Sequence, residues 1–327
     1  MSYLVRRLEF FVITLWAALT INFLLPRFMP GNPAEAMLVR FHGRANPQAV
    51  KTMEIAFGIH TDQNALQQYL QYLGNTLQGN FGTSLTFFPS SVGKVIMLGL
   101  PWTVGLVGTA TVIAFVLGTL VGMLSAWRRG GFLDAILPPV FIVISAFPYF
   151  WIGMLCLLLF SITWPWFPLG FGYQVDSSIN LSWAFAGDVI WHAFLPALTI
   201  VVTSIGGWIL TMRNTMITTL AEDYVKMARA KGLSPIRIML MYAGRNAILP
   251  NLTGFAMSLG FVISGAILVE IVFNYPGLGF MLLQAVNNED FALMQALFLL
   301  ITVAVLVAVL AADMLTAWLD PRTREAA

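Results

Sequence analysis

Six stretches of the chain run without a single Asp, Glu, Lys or Arg: Phe10 to Pro26, Val95 to Trp127, Ala135 to Val175, Val189 to Met212, Asn246 to Val269 and Phe291 to Ala312. A helix needs about 20 mainly apolar residues to cross some 30 Å of hydrocarbon. The first stretch reaches that length by extending over Arg27 to Met29, and the others have it already. The pattern predicts an all-α polytopic membrane protein with six transmembrane helices. Between the first two spans lies a polar segment too long for a plain connector. It opens on the turn cluster Met29-Pro30-Gly31-Asn32-Pro33. Further on, Leu66, Tyr69, Leu70, Leu73 and Leu77 recur at helical spacing, which predicts a short amphipathic helix on the membrane or on other spans. Folding, lid and docking roles all stay open for this segment.

Composition agrees with the pattern. Of 327 residues, 58% are hydrophobic and only 10% charged, with mean hydropathy +0.81, whereas a soluble domain carries about 25% charge. A net charge of +2, with Lys and Arg scattered, offers no basic block for phosphates, so nucleic-acid binding is unsupported. The single cysteine, Cys156, excludes an intrachain disulfide and reads as a small buried hydrophobe. Arg6 and Arg7 precede the first apolar run as in a signal peptide, but no small-residue cleavage site follows, so the run is read as a retained first helix.

Orientation follows from where Lys and Arg fall between spans. One alternating set of segments holds Arg6, Arg7, Arg128, Arg129, Arg213, Lys226, Arg229, Lys231, Arg237, Arg245, Arg322 and Arg324. The other holds Arg27, Arg40, Arg44, Lys51 and Lys94, all in or beside the long first loop. Both termini are therefore expected in the cytoplasm. The chain divides into a first transmembrane helix (1–29), an external loop with short helices (30–97), a core of five spans (98–320) and a cytoplasmic tail (321–327). Pro101, Gly118-x-x-x-Gly122, Pro138-Pro139, Pro148, Pro196, Gly206-Gly207 and Gly260-x-x-x-Ser264 punctuate the spans. Small residues four apart allow close helix approach, and prolines mark kinks that neighbours must satisfy.

The most polar stretch, Thr218 to Arg245, falls between the fourth and fifth spans. A helix is predicted from about Ala221 to Lys231, with Glu222 and Asp223 in its first turn and Lys231 in its last, complementing the macrodipole. Gly232 suits a left-handed C-terminal cap; Ser234 and Pro235 then start a second helix. Ala228, Ala230 and Gly232 keep part of this knob small enough for a partner to approach its backbone.

Here the sequence resembles the inner-membrane permease subunits of ABC importers, in particular the dipeptide, oligopeptide and nickel group. Asp223-Tyr224-Val225-Lys226-Met227-Ala228-Arg229-Ala230-Lys231-Gly232-Leu233-Ser234, followed by Arg245-Asn246-Ala247-Ile248-Leu249-Pro250, resembles that group's coupling motif. Val269-Glu270-Ile271-Val272-Phe273-Asn274-Tyr275-Pro276-Gly277-Leu278-Gly279 resembles the loop entering its last helix, and Leu319-Asp320-Pro321-Arg322 its ending. Met29-Pro30-Gly31-Asn32-Pro33, Gln68-Tyr69-Leu70, Gly79-Asn80-Phe81-Gly82 and Leu100-Pro101-Trp102-Thr103 are similar to the first-permease type with a long external loop. The resemblance implies a type I importer transmembrane fold in a bacterial or archaeal plasma membrane. Its implied partners are a second homologous permease, two cytoplasmic ATPase subunits that carry the ATP and Mg, and an extracytoplasmic solute-binding protein. It also implies that the knob, residues 218–245, is a coupling helix docked in an ATPase groove through Glu222, Asp223, Tyr224, Ala228, Arg229, Ala230, Lys231, Gly232, Leu233 and Ser234. One departure is clear: the general motif begins Glu-Ala-Ala six residues before its glycine, where this chain has Lys226, Met227 and Ala228. A contact from the motif's glutamate does not carry over, and Glu222 or Asp223 is left to supply the acidic group.

Charges at membrane depth are costly and read as functional by default. Glu270 closes the fifth span on the side where Arg27 closes the first, which suggests a structural pair or gate brace, with substrate contact as the other reading. Tyr149, Thr203, Trp208, Asn251 and Ser258 are candidates for a pathway lining or for helix packing. No enzyme signature is found. His42, His60 and His192 have no ligand spacing to a second metal-binding group, and serines within spans lack a nearby base. Gly93-Lys94 precedes valine and has no upstream glycine, so there is no phosphate cradle and ATP is expected on another chain. The sequence is read as a permease subunit for a peptide or oligosaccharide, with a dipeptide, oligopeptide or nickel chelate all open as cargo. The alternative is a self-sufficient secondary transporter or channel.

Overall fold

The computed structural model describes residues 3–28, 64–174, 176–177, 182–263 and 267–319. The expected turn at Met29 to Pro33, the basic residues Arg40, Arg44 and Lys51, and the ending Asp320-Pro321-Arg322 lie outside the described residues. The helices in chain order are α1 (Tyr3–Phe28), α2 (Ala65–Leu77), α3 (Val92–Trp127), α4 (Phe132–Ser145), α5 (Tyr149–Thr163), α6 (Trp183–Leu220), α7 (Asp223–Ala230), α8 (Leu249–Phe261), α9 (Ile267–Val272), α10 (Leu278–Asn287) and α11 (Phe291–Leu319). Among the described residues no strand occurs beyond an isolated antiparallel bridge between Thr83 and Ser91.

Stretches within α1, α3, α6 and α11 are long and apolar enough to cross a membrane. The bent pair of α4 and α5, meeting at 96°, makes a fifth crossing if taken as one span. Of the remaining expected crossing, Asn246 to Val269, the described residues show α8 (Leu249–Phe261) and α9 (Ile267–Val272), and residues 264–266 lie outside the described residues. Proline explains part of the irregularity. Pro101 inside α3 brings no N–H to the ladder, and the turns that follow, Val104–Gly108, widen to the π type.

At the centre of the bundle is α6. A Cβ at Gly118 of α3 would meet Trp208 Cβ at 2.5 Å, and one at Gly122 would meet Ile209 O at 2.5 Å. The glycine pair thus lets the two backbones touch, as small residues four apart do in lipid. On another face, Gly206 lies against Phe141 O and Ser145 Oγ of α4, and Gly153 of α5 abuts Thr199. Meanwhile α1 packs on α11 through a reciprocal clamp: Asn22 Nδ2 donates to Gln295 O at 2.7 Å and Gln295 Nε2 to Asn22 O at 3.0 Å.

The predicted amphipathic helix is α2, started by a capping box at Asn64 and Gln67. It rests on α1, with Phe23 between the rings of Tyr69 and Tyr72 and the Tyr69 hydroxyl 2.8 Å from that of Thr20. Two main cores follow. One, at the α10 end, joins Val92, Val95 and Ile96 to Leu278, Leu282, Leu293 and Leu297. The other, at the knob end, gathers Met123, Met212, Met216, Val225, Ala228, Ile238, Ala243 and Ala247. Large apolar side chains such as Ile13, Trp16, Val116 and Leu120 remain exposed on the bundle's flanks, as they must where the solvent is hydrocarbon.

Candidate functional site

After Leu220 the chain leaves α6, and Glu222 takes the N-cap position of α7 in extended geometry. The helix therefore begins later than the pattern predicts, with Glu222 at its cap and Asp223 alone in the acidic first turn. Its end follows the expected chemistry. Gly232 has φ +73°, its N–H donates to Arg229 O, and Leu233 N–H reaches Ala228 O. This is a Schellman closure, which favours glycine because a Cβ resists the left-handed backbone. Lys231 is the C-cap, Ser234 the next N-cap and Pro235 the first residue of the following turn; Ser234 makes no side-chain cap bond.

Val225 and Ala228 are buried and pack into the core formed by the ends of α3 and α6 and residues 238–247. Ala228 thus faces the bundle, which corrects its assignment to the partner-facing surface; Ala230 and Gly232 remain exposed. The open face carries Glu222, Asp223, Tyr224, Lys226, Arg229, Lys231 and Ser234, with Leu233 half-buried. It also carries Met227, 60% exposed, and Ile236, 67% exposed, which sequence reasoning missed because an isolated apolar residue in a polar loop gives no periodic signal. Two contacts steady the knob: Asn246 Nδ2 donates to the Tyr224 hydroxyl at 2.8 Å, and the Arg229 guanidinium sits 5.9 Å from the centre of the Trp127 ring. Lys226 Nζ lies 2.9 Å from Asp223 Oδ1 and holds that carboxyl below its usual range by hydrogen bonding and charge, in full solvent.

Nearby, Arg213 of α6 forms a two-pronged pair with Asp134 of α4, Nε to Oδ1 at 2.5 Å and Nη2 to Oδ2 at 3.1 Å. Asp134 Oδ2 also accepts from Gly130 N–H at 2.9 Å. These residues are 79 apart in sequence, so no local pattern announces them.

At the opposite end Glu270 is fully buried. It accepts from the Thr103 hydroxyl at 2.7 Å, from Gly279 N–H at 2.6 Å and from Phe280 N–H. Thr103 Oγ1 in turn accepts from Leu278 N–H at 2.8 Å. The carboxylate therefore caps α10. Gly277 has no side chain because a Cβ there would overlap that carboxylate. Arg27, by contrast, donates to Phe23 O and to Gln68 Oε1, and stacks on the Phe23 ring. The expected Arg27–Glu270 pair is not formed among the described residues: backbone N–H groups already take the carboxylate's lone pairs, and α2 takes the guanidinium. Asp290 plays a matching role, accepting from Ser84 Oγ at 2.5 Å, Thr86 N–H at 2.8 Å and Leu293 N–H at 3.1 Å. It caps α11 and holds the turn before α3.

The five pathway candidates separate. Asn251 is 1% exposed and donates to Thr119 Oγ1 and Trp208 O, so it ties α8 to α3 and α6. Trp208 packs edge-on against Phe115. Ser258 and Thr203 bond back to their own helices, at Phe255 O and Thr199 O. Tyr149 is exposed where α4 meets α5.

A helical bundle with apolar flanks and a firmly packed, charge-ringed knob at one end has the build of a multi-pass membrane protein. Comparison gives the family: residues 118–325 match the model for the binding-protein-dependent transport system inner membrane component, and the chain belongs to that family. It is similar to the di/tripeptide transport system permease protein DppB of Pseudomonas aeruginosa, 32% identical over 99% of each chain. It is also similar to the oligopeptide transport system permease protein AppB of Bacillus subtilis, 30% identical over 98% of each. A third relative is the glutathione transport system permease protein GsiC of Escherichia coli, 29% identical over 99% of each. The chain is thus a membrane permease subunit of an ABC importer.

Proposed function

We propose that this chain forms, with a second homologous permease, the membrane pathway for short peptides handed over by a solute-binding protein, and that two cytoplasmic ATPases drive it from the knob. The relatives' names favour peptidic cargo over oligosaccharides or metal chelates. The observation that carries the coupling assignment is the knob's two-sidedness. Val225 and Ala228 anchor it in the bundle core, while Tyr224, Met227 and Ile236 stand exposed among charges, the make-up of a protein-binding patch. The reading puts the knob and both termini in the cytoplasm, an orientation that the distribution of Lys and Arg supports. ATP and Mg belong to the partner subunits, and this chain contributes no catalytic group.

The test is co-purification of the ATPases and ATP-driven uptake after Met227→Asp or Ile236→Asp. Both should be lost while thermal stability is unchanged, since neither side chain is buried. ATPase retention in both variants would remove the docking assignment, and uptake by the purified chain without ATP would favour a secondary transporter.

A further inference from the structure

The turn between α3 and α4 sets two arginines side by side on a well-bonded backbone. Arg128 N–H donates to Leu124 O at 3.0 Å and Gly131 N–H to Arg128 O at 2.9 Å. Gly130, at φ +78°, donates to Asp134 Oδ2 at 2.9 Å. Arg128 and Arg129 are both exposed, and neither makes a side-chain hydrogen bond or ion pair among the described residues. The nearest acid after them, Asp134, is already taken by the two prongs of Arg213 and by Gly130 N–H. Arg129 acts on that carboxylate through its charge alone. Two cations thus stand at this corner with no counter-ion supplied by the described residues.

The apolar surface around them sets the depth of the corner. Ile113, Leu117, Leu120 and Leu124 recur at helical spacing along α3 and are all exposed, a stripe suited to hydrocarbon. Arg128 follows Leu124 by one turn, so it closes that stripe where the charge-free run from Val95 ends. Trp127, half-buried, is the last residue of α3, and Trp is enriched where membrane meets water. Across the turn Phe132, the first residue of α4, is 77% exposed. A ring in that position enters the acyl boundary while the guanidinium groups stay among the headgroups. The anion of that layer is the phosphodiester. A guanidinium presents paired N–H donors that match two phosphate oxygens. Two adjacent arginines favour an anionic headgroup over a zwitterionic one, whose own cation they repel.

We propose that the α3–α4 turn binds the phosphodiester headgroup of an anionic phospholipid in the leaflet at the knob end, with Arg128 and Arg129 on the phosphate and Phe132 in the acyl boundary. The site needs neither nucleotide nor ATPase, so it stands whether or not the knob couples to one.

The experiment uses the complete transporter in phosphatidylcholine proteoliposomes into which a photoactivatable phosphatidylglycerol is titrated, with the cross-linked peptides mapped by mass spectrometry. Cross-links should concentrate on residues 127–132. In Arg128→Gln and in Arg129→Gln the phosphatidylglycerol fraction giving half-maximal labelling should rise about fivefold, and in the double variant further still. Arg237→Gln, which removes an exposed arginine elsewhere on the molecule, should leave it unchanged. Both turn side chains are exposed, and an unaltered unfolding temperature in neutral detergent confirms that the variants fold. Equal labelling of the turn in the wild type and the double variant would overturn the proposal. Displacement of the probe by sodium phosphate, at an ionic strength where sodium chloride has no effect, would make the corner a site for a free anion and overturn the lipid assignment. Labelling that emerges only after the ATPases are stripped away would assign the turn to a protein contact and overturn it equally.

Discussion

Glu270 and Asp290 are carboxylates buried in a chain with very few charges, and each is held by N–H groups at a helix start. A carboxylate at a helix N-terminus gains from both hydrogen bonds and the macrodipole. Glu270→Ala strands the Thr103 hydroxyl and two backbone donors, at about 1–3 kcal/mol for each buried group left unpaired. The melting temperature in detergent should fall sharply, and Glu270→Gln, which keeps an acceptor oxygen, should fall less. Asp290→Ala should cost about 1 kcal/mol at the α11 cap and also free the turn at Ser84 and Thr86. Limited proteolysis between residues 79 and 91 should then speed up, even where the bundle stays folded. The sequence marks Glu270 as costly and so consequential, but it cannot name the partner. Backbone donors carry no residue letter, and the distant Arg27 was the visible candidate. Asn251 misleads for the same reason: a polar residue in a span looks the same whether it faces water or clamps Thr119 and Trp208 O.

Helices are the level at which the sequence speaks most clearly. Long charge-free runs place α1, α3, α6 and α11, and the 3.6-residue stripe places α2. The Asp-to-Gly-to-Pro order places α7 and its cap within two residues at each end. Less visible are the wide turns at Val104–Gly108 and Ile238–Gly244, because an apolar run keeps its composition whichever helical hydrogen-bond pattern it adopts. The two glycine classes are separable only in the structure. Gly122→Val should be destabilising by about 1–3 kcal/mol through overpacking, since its Cβ runs into Ile209 O. Gly207→Ala, in the same helix as that carbonyl but facing open space, should be neutral or gain about 0.5–1 kcal/mol from helix propensity. Thermal unfolding of the two variants side by side measures the contrast.

At the scale of the whole molecule, the knob is joined to the bundle in two ways: by a shared core with the ends of α3 and α6, and, a turn or two further in, by the Asp134–Arg213 pair between α4 and α6. Asp134→Asn weakens the second joint without touching the exposed docking face. ATPase co-purification should persist while peptide uptake per ATP hydrolysed declines, as measured in reconstituted vesicles. The exchanged pair, Asp134→Arg with Arg213→Asp, should restore part of that ratio. Beyond stability, α6 carries a mechanical consequence. Its 38 residues make a rod of about 57 Å, running from the knob to the far end of the bundle. Tilted by about 5° at the knob, a rod of that length sweeps its other tip through about 5 Å. A shift at the knob too small to disturb a packed core is thereby multiplied into a displacement the width of a peptide backbone.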